Sequence, residues 1–128
     1  MSSGQVRVSA DPALALAALT RASHHQDLRK LGDFGPLAAG EADQLRRLSR
    51  SKDDWVRVEA AYTHYRVTTD PAIAVSVLTD VAGPLAGGTC LPVMITALEH
   101  LATIGPAAEP AYPIARAVLR MAATTLLS

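Results

Sequence analysis

Residues 53–67, with the sequence DDWVRVEAAYTHYRV, contain the pattern that decides the fold class. Small and apolar residues recur there every three or four positions, which is the spacing of one face of an α-helix. They are Val56, Ala60, Thr63 and Val67, with Tyr62 beside them. Ser51 or Asp53 is placed to cap the start of this helix with a side-chain oxygen. The pattern therefore predicts an amphipathic helix from Asp53 to about Val67.

A second helix is expected directly downstream, from Pro71 to about Val81. Asp70 is suited to cap this helix, and proline is well tolerated in a first helical turn. The apolar stripe of the second helix consists of Ile73, Val77, Leu78 and Val81. Because the break between the two helices is short, they are expected to form an antiparallel pair.

Prolines that follow such helix-capping or helix-ending residues recur at a regular spacing along the chain. Pro36, Pro71 and Pro106 are spaced by 35 residues, and each follows a residue that caps or ends helices. Because proline is well tolerated in a first helical turn, all three are expected to occupy the same structural position. The apolar residues ahead of two of these prolines also match: Leu28, Leu31 and Phe34 against Leu98, Leu101 and Ile104. Between these positions we expect a loop over residues 83–88, a helix capped by Thr89, and a helix end at Gly105. Such a period is typical of stacked helical repeats.

The composition favours an all-α protein. Of 128 residues, 24 are alanine and 16 are leucine, whereas aromatic residues make up only 4%. Twelve basic and 12 acidic residues give zero net charge, which argues against a nucleic-acid partner held by bulk electrostatics. The lone Cys90 excludes an internal disulfide, and glycines and prolines interrupt the uncharged stretch Val81–Leu98. These features predict a soluble, cytoplasmic protein that forms one domain over residues 1–128 and spans no membrane.

Two motifs resemble HEAT repeats. DDWVRVEAA, residues 53–61, is similar to the first helix of that repeat, with an aspartate, then valine and arginine, then two small residues. IGPAA at residues 104–108, followed by Pro113 and Ile114, resembles the junction into the second helix. The resemblance covers about residues 25–120. It implies an α-solenoid of stacked antiparallel helix pairs, with about seven helices and repeats that start near residues 12, 25, 53 and 89.

A HEAT-like solenoid presents a groove lined by its second helices. The residues whose helical phase places them outside the buried stripes are Gln44, Arg47, Ser76, Thr79, Asp80, Arg116 and Arg120. They predict a non-enzymatic scaffold that binds another protein or a peptide segment. Two alternatives stay open. One is a nucleic-acid-acting enzyme of the HEAT-like alkylpurine DNA glycosylase type, and the other is a fragment or subunit of a larger HEAT-repeat assembly.

The sequence offers little for catalysis or metal binding. It contains no phosphate-binding loop, GxSxG or GxGxxG motif, so we predict no catalytic residue and no cofactor. His64, Glu99 and His100 lack the spacing of metal ligands within one helix. First helices form the outer layer of HEAT arrays, so these side chains are expected at the surface, and no metal site is predicted. Cys90 is expected to be a small apolar filler in the first turn of a helix.

A basic cluster lies ahead of and within the helix at 53–67. Its members are Arg46, Arg47, Arg50, Lys52 and Arg57. We interpret it as the solvated end of a helix, where cations favour the negative end of the helix dipole. Arg57 is expected to pair with an acidic side chain such as Asp53, Asp54 or Asp80.

The last helix is expected to begin near Pro106 and to kink at Pro110 or Pro113. Its end, residues 121–127 with the sequence MAATTLL, lacks the polar face that a terminal repeat needs. We therefore expect the C-terminal helix to pack on another copy of the chain, on another protein, or on a further part of a longer chain.

Overall fold

A computed structural model describes residues 25–127, and every regular element in that range is helical. The all-α prediction is therefore confirmed for this range, in which no strand occurs. The α-helices are α1 (His25–Gly32), α2 (Ala42–Leu48), α3 (Asp54–Thr68), α4 (Ala72–Ala82), α5 (Pro92–Ile104) and α6 (Tyr112–Leu127). Three 3-10 helices connect some of them: η1 (Gly35–Glu41), η2 (Gly83–Gly87) and η3 (Gly105–Ala111). The repeat start expected near residue 12 lies outside the described residues.

The chain divides into two compact units, the first ending at Asp70 and the second beginning at Pro71. In the first unit, α3 packs against α1, α2 and η1. In the second unit, α4 packs against α5 and η3, while α6 packs against η2 and η3. The boundary between the units falls within the stretch that the sequence predicts as one helix pair.

Helix α3 begins where its sequence predicts. The Asp53 carboxylate accepts hydrogen bonds from the backbone N–H groups of Trp55 at 2.9 Å and Val56 at 3.3 Å, which confirms Asp53 as the cap. The helix ends one residue past the predicted Val67, where Thr69 adopts a left-handed backbone conformation with φ of 62°. The core of this unit consists of Leu28, Leu31, Ala38, Leu45, Val56, Ala60 and Val67, with Phe34 and Leu48 packed against it.

Gly-Pro pairs start two similar junctions. Gly35 and Gly105 both have positive φ, of 56° and 84°, and a proline in the first turn of a 3-10 helix follows each of them. Proline has no backbone N–H. This costs nothing in a first turn, because an N–H at that position has no acceptor within the helix. Pro36 and Pro106 therefore occupy equivalent positions, as the matching apolar residues predict.

Pro71 does not share that position. It is itself the N-cap of α4, which follows without an intervening 3-10 helix, so Asp70 is not the cap. The predicted equivalence of all three prolines is wrong for this one. The reason is local: Asp70 precedes Pro71, whereas the other two junctions have a glycine that readily adopts positive φ.

Four further expectations for the second unit have mixed outcomes. Residues 83–87 form η2 rather than a loop, and Leu85 within it is buried. Leu91, not Thr89, is the N-cap of α5, because Pro92 already occupies the first turn. Gly105 ends α5 as predicted. The last helix, expected from near Pro106, begins only at Tyr112, after η3.

Candidate interaction surfaces

The first surface is a groove of about 460 Å³ in the second unit, between α4 and η3. We call it the α4 groove. Its lining residues are Pro71, Ala72, Val75, Ser76, Thr79, Ala107 and Pro110. Two of the seven residues predicted from helical phase, Ser76 and Thr79, therefore line one groove.

Helical spacing explains why α4 presents these side chains there. Ala74 and Leu78 point into the core and are fully buried, whereas Ser76 is exposed and Thr79 is half-buried. Residues 72, 75, 76 and 79 thus form the opposite stripe of the same helix. The Thr79 hydroxyl oxygen is buried and makes no hydrogen bond within the part of the chain that the structure describes. Asp80, the next residue, is exposed but does not line the groove.

The two predicted residues of the first unit lie together on α2. The Arg47 guanidinium Nη1 donates a hydrogen bond of 2.9 Å to Gln44 Oε1. One turn of this helix also holds an ion pair of 3.1 Å between Arg46 and Asp43. Because these pairs are exposed and local to one helix, they contribute a few tenths of a kcal/mol at most (about 0.2–0.5). They agree with the interpretation of this basic cluster as a solvated helix end.

Arg57 makes the kind of contact that its sequence context predicts. Its Nη1 lies 3.6 Å from Asp54 Oδ1, one turn earlier in α3. Asp54 was one of three acidic side chains that the sequence offered as partners. The pair lies on the surface of the first turn of the helix, where an acidic residue also favours the positive end of the helix dipole.

A second surface is an apolar groove of about 470 Å³, between the C-terminal half of α5, η3 and α6. We call it the α5–α6 groove. Its lining residues are Leu98, Leu101, Ala102, Gly105, Pro106, Ala108, Ala111, Tyr112, Ala115, Val118 and Leu119. Arg116 and Arg120, both predicted to bind a partner, are exposed on α6 and line neither groove.

Comparison of the chain with protein-family models, curated proteins and solved structures finds no match. The resemblance to HEAT repeats therefore rests on the motifs of this chain.

His64 and His100 are buried, which differs from the expectation that they lie at the surface. His64 is only 3% exposed and His100 is 9% exposed. Glu59, also in α3, is 1% exposed. Glu59 and His64 both belong to α3, against which α1, α2 and η1 pack. The polar residues of α3 are spread around its circumference, and this lack of a distinct polar face is the signal that could have indicated burial on more than one side.

Both ring nitrogens of His64 are buried and make no hydrogen bond within residues 25–127. Burial lowers the pKa of the imidazole below its ordinary value of 6.5, and the positive charge of Arg46 lowers it further. Asp70 and Asp43 act in the opposite direction, with smaller effects. The net direction means that His64 is held neutral in the folded chain. A neutral, buried imidazole without a partner is a structural element of the first unit rather than an acid–base group open to a substrate.

Cys90 is exposed and lies ahead of α5, so the expectation of an apolar filler within a helix is wrong. Pro92 starts that helix two residues later and leaves Cys90 in the connecting segment. Among the described residues, no three His, Cys, Asp or Glu side chains are grouped as metal ligands. No helix in the described range combines the length and the apolar character needed to cross a bilayer.

Proposed function

We propose that this chain is a non-enzymatic module of HEAT-like helix pairs that binds a segment of another protein in its α4 groove. One observation supports this proposal above the others. Ser76 and Thr79, which helical phase places outside the buried stripe of α4, line the same groove. A groove along the outer stripe of a second helix is where a HEAT-like array would hold a partner.

The walls of the α4 groove suit a peptide. Its volume of about 460 Å³ holds a few side chains, and most of its lining is apolar, from Ala72, Val75, Ala107 and two prolines. Proline has one fixed backbone dihedral, so Pro71 and Pro110 are rigid and lose little conformational entropy when a partner docks. The hydroxyl of the exposed Ser76 is available to a peptide backbone group.

The repeated junctions support the HEAT-like part of the proposal. In the first unit α1 is followed by Gly35-Pro36, η1 and α2, and in the second α5 is followed by Gly105-Pro106, η3 and α6. Both segments have the order helix, Gly-Pro, 3-10 helix, helix, with positive φ at the glycine. The segment α4, Gly83-Pro84, η2 and α5 has the same order, but φ of Gly83 is negative. A local design that recurs within one chain is typical of a repeat architecture. The stacking of seven helices in one solenoid is a part of this proposal.

Peptide selection tests the proposed function. A random library of displayed 12-residue peptides would be panned against the whole chain, and the affinity of enriched peptides measured by fluorescence anisotropy. We expect Ser76→Arg to weaken binding at least about tenfold, because the long cation fills the groove and introduces an unpaired charge.

A matched substitution elsewhere in the second unit serves as the control. Thr103 is exposed on α5 and lines neither groove, so Thr103→Arg adds the same side chain without entering the α4 groove. The proposal requires that this variant bind the selected peptides as the original chain does. Failure to enrich any peptide, or equal affinity of the Ser76→Arg and original chains, would contradict it.

A further inference from the structure

A titratable side chain lies on the packed face of α3. His64 follows Ala60 by four residues and precedes Val67 by three, so these side chains share one stripe of the helix. Ala60 and Val67 belong to the core cluster that also contains Leu45 of α2. Because His64 is buried as deeply as its apolar neighbours on this stripe, its imidazole belongs to the contact that holds the first unit together.

The imidazole of His64 has charges near it but no hydrogen-bond partner. Both ring nitrogens are buried and unbonded within residues 25–127. Burial lowers the pKa of this group, and the cation of Arg46, on α2, lowers it further. Asp70, which follows α3, and Asp43 of α2 raise the pKa by less. A proton on His64 would therefore be enclosed without an acceptor and near a like charge.

Other charged side chains of the elements around α3 do not act on this imidazole. Lys30 of α1 is exposed and Glu41 of η1 is half-buried, and neither is among the groups that shift the pKa of His64. Glu59, on α3 itself, lies five residues earlier, which is about 140° around the helix. Among the side chains that the structure describes, the charges that face the imidazole are therefore the three named above.

The helices α1 and α2 are attached to α3 in different ways. The Thr63 hydroxyl donates a hydrogen bond of 2.9 Å to the carbonyl oxygen of Leu28 in α1, and Arg66 pairs at 2.7 Å with Asp33, directly after α1. In the described part of the chain, the side-chain hydrogen bonds and ion pairs of α2 join residues of that same helix. The α2 side chains thus contribute apolar packing to this contact, with Leu45 as the buried residue.

We propose that α2 is a pH-dependent switch, which is released from α3 when His64 takes up a proton, while α1 stays attached. A helix of seven residues is unstable without tertiary packing, so α2 depends on its contact with α3. Release of α2 gives the imidazolium access to water and removes the cost of enclosing an unpaired charge. The first unit then has a closed form and an open form, and acid favours the open one.

The direction of the response follows from where the imidazole binds its proton more tightly. In the open form the imidazole is in water and has a pKa of about 6.5, whereas burial keeps the pKa of the closed form below that value. The open fraction is therefore smallest above this pH. As the pH falls through it, the open fraction rises by at most about tenfold for each pH unit.

Hydrogen exchange of the whole chain, measured by mass spectrometry, tests the proposal. Dividing each measured rate by the rate of an unstructured peptide at the same pH gives the open fraction of each helix. Between about pH 7.5 and about pH 5.5 we expect the open fraction of α2 to rise by up to about tenfold. Those of α1 and of α5, the reference in the second unit, should change by less than about twofold. An unchanged α2, or an equal rise in α1 and α2, would overturn the proposal.

Two buried histidines provide matched variants. His64→Leu removes the titrating group and should abolish the response of α2 to pH. His100→Leu makes the same change at a histidine that is also buried but belongs to α5, and α2 must keep its response in that variant. Circular dichroism checks that both variants stay helical. A response of α2 that persists in His64→Leu would show that another group causes it, and the proposal would then be wrong.

Two exposed arginines of α2 give a second pair of variants that leaves the core intact. Arg46→Gln removes the cation that disfavours the imidazolium, so the response of α2 to pH should become smaller. Arg47 is the next residue but does not act on His64, so Arg47→Gln should leave the response unchanged. If the two substitutions have the same effect, His64 does not control the release of α2.

Discussion

Polar side chains within α3 are as deeply buried as the apolar residues around them. Glu59 and Thr63 are each only 1% exposed, and His64 is 3% exposed. Thr63 satisfies its hydroxyl by donating a hydrogen bond of 2.9 Å to the carbonyl oxygen of Leu28 in α1. His64 has no such bond within the described residues. A buried polar group without a partner costs about 1–3 kcal/mol, so His64 reduces the stability of the unit that it helps to fill.

Acid is therefore expected to destabilise the chain through His64. Burial lowers the pKa of the folded imidazole below 6.5, so as the pH falls below that value the unfolded chain takes up a proton before the folded chain does. The free energy of unfolding must then fall with falling pH. We expect His64→Leu to lose less stability than the original chain between about pH 7.5 and about pH 5.5.

Urea unfolding at the two pH values, followed by circular dichroism, measures this difference. The leucine has no proton to gain and leaves no nitrogen unpaired, so the variant should also be at least as stable as the original at the higher pH. An identical pH dependence in both proteins would show that His64 is not the group responsible.

At the scale of elements, the helix boundaries depend on a small number of backbone conformations. Gly105 ends α5 with φ of 84° and ψ of −137°, a combination that L-residues with a side chain rarely adopt. The chain changes direction at this residue and continues into η3. Gly40, in η1, has no positive φ, and a Cβ added at either glycine would meet no atom within 4 Å. The two glycines therefore differ in backbone conformation and not in available space.

Alanine substitution at these two glycines separates conformation from packing. We expect Gly105→Ala to lower the free energy of unfolding by about 1–3 kcal/mol, because the strained backbone has no alternative without moving η3. Gly40→Ala should change it by less than about 0.5 kcal/mol, or raise it slightly, because alanine restricts the unfolded chain. Thermal and urea unfolding measure both values. Similar losses at both positions would mean that φ is not the cause.

At the scale of the whole molecule, each compact unit has its own buried apolar side chains. Leu31, Leu45 and Val58 are buried in the first unit, and Leu78 and Leu101 in the second. Alanines complete both cores: Ala38, Ala60, Ala61, Ala74, Ala82, Ala97, Ala108 and Ala111 are buried. Small side chains let helix axes approach closely, so buried alanines can fill the interior of a protein that has few aromatic residues.

Hydrogen exchange should report this distribution along the chain. We expect the slowest amides in the middle of α3 and in the packed parts of α4 and α5, because local opening there exposes buried side chains. Residues 119–125 of α6 should exchange fastest among the helical residues, because their side chains are all exposed. Mass spectrometry of peptic fragments resolves these segments. Slow exchange of residues 119–125 would contradict the arrangement described for α6.

The sequence by itself determined the helical class and the helix end at Gly105, and it limited the cap of α3 to Ser51 or Asp53. It predicted one structural position for Pro36, Pro71 and Pro106, which holds for Pro36 and Pro106. These features depend on periodicity, on a side chain reaching its own backbone, and on glycine at positive φ, all of which are local. Helical phase also selected Ser76 and Thr79, because the stripe opposite a buried face follows from spacing within one helix. Only the tertiary structure decided that His64 and Glu59 are buried, that residues 83–87 form η2, and that α6 borders an apolar groove. Those outcomes depend on which elements pack around a residue, and a single helix contains no information about how many of its sides will be covered.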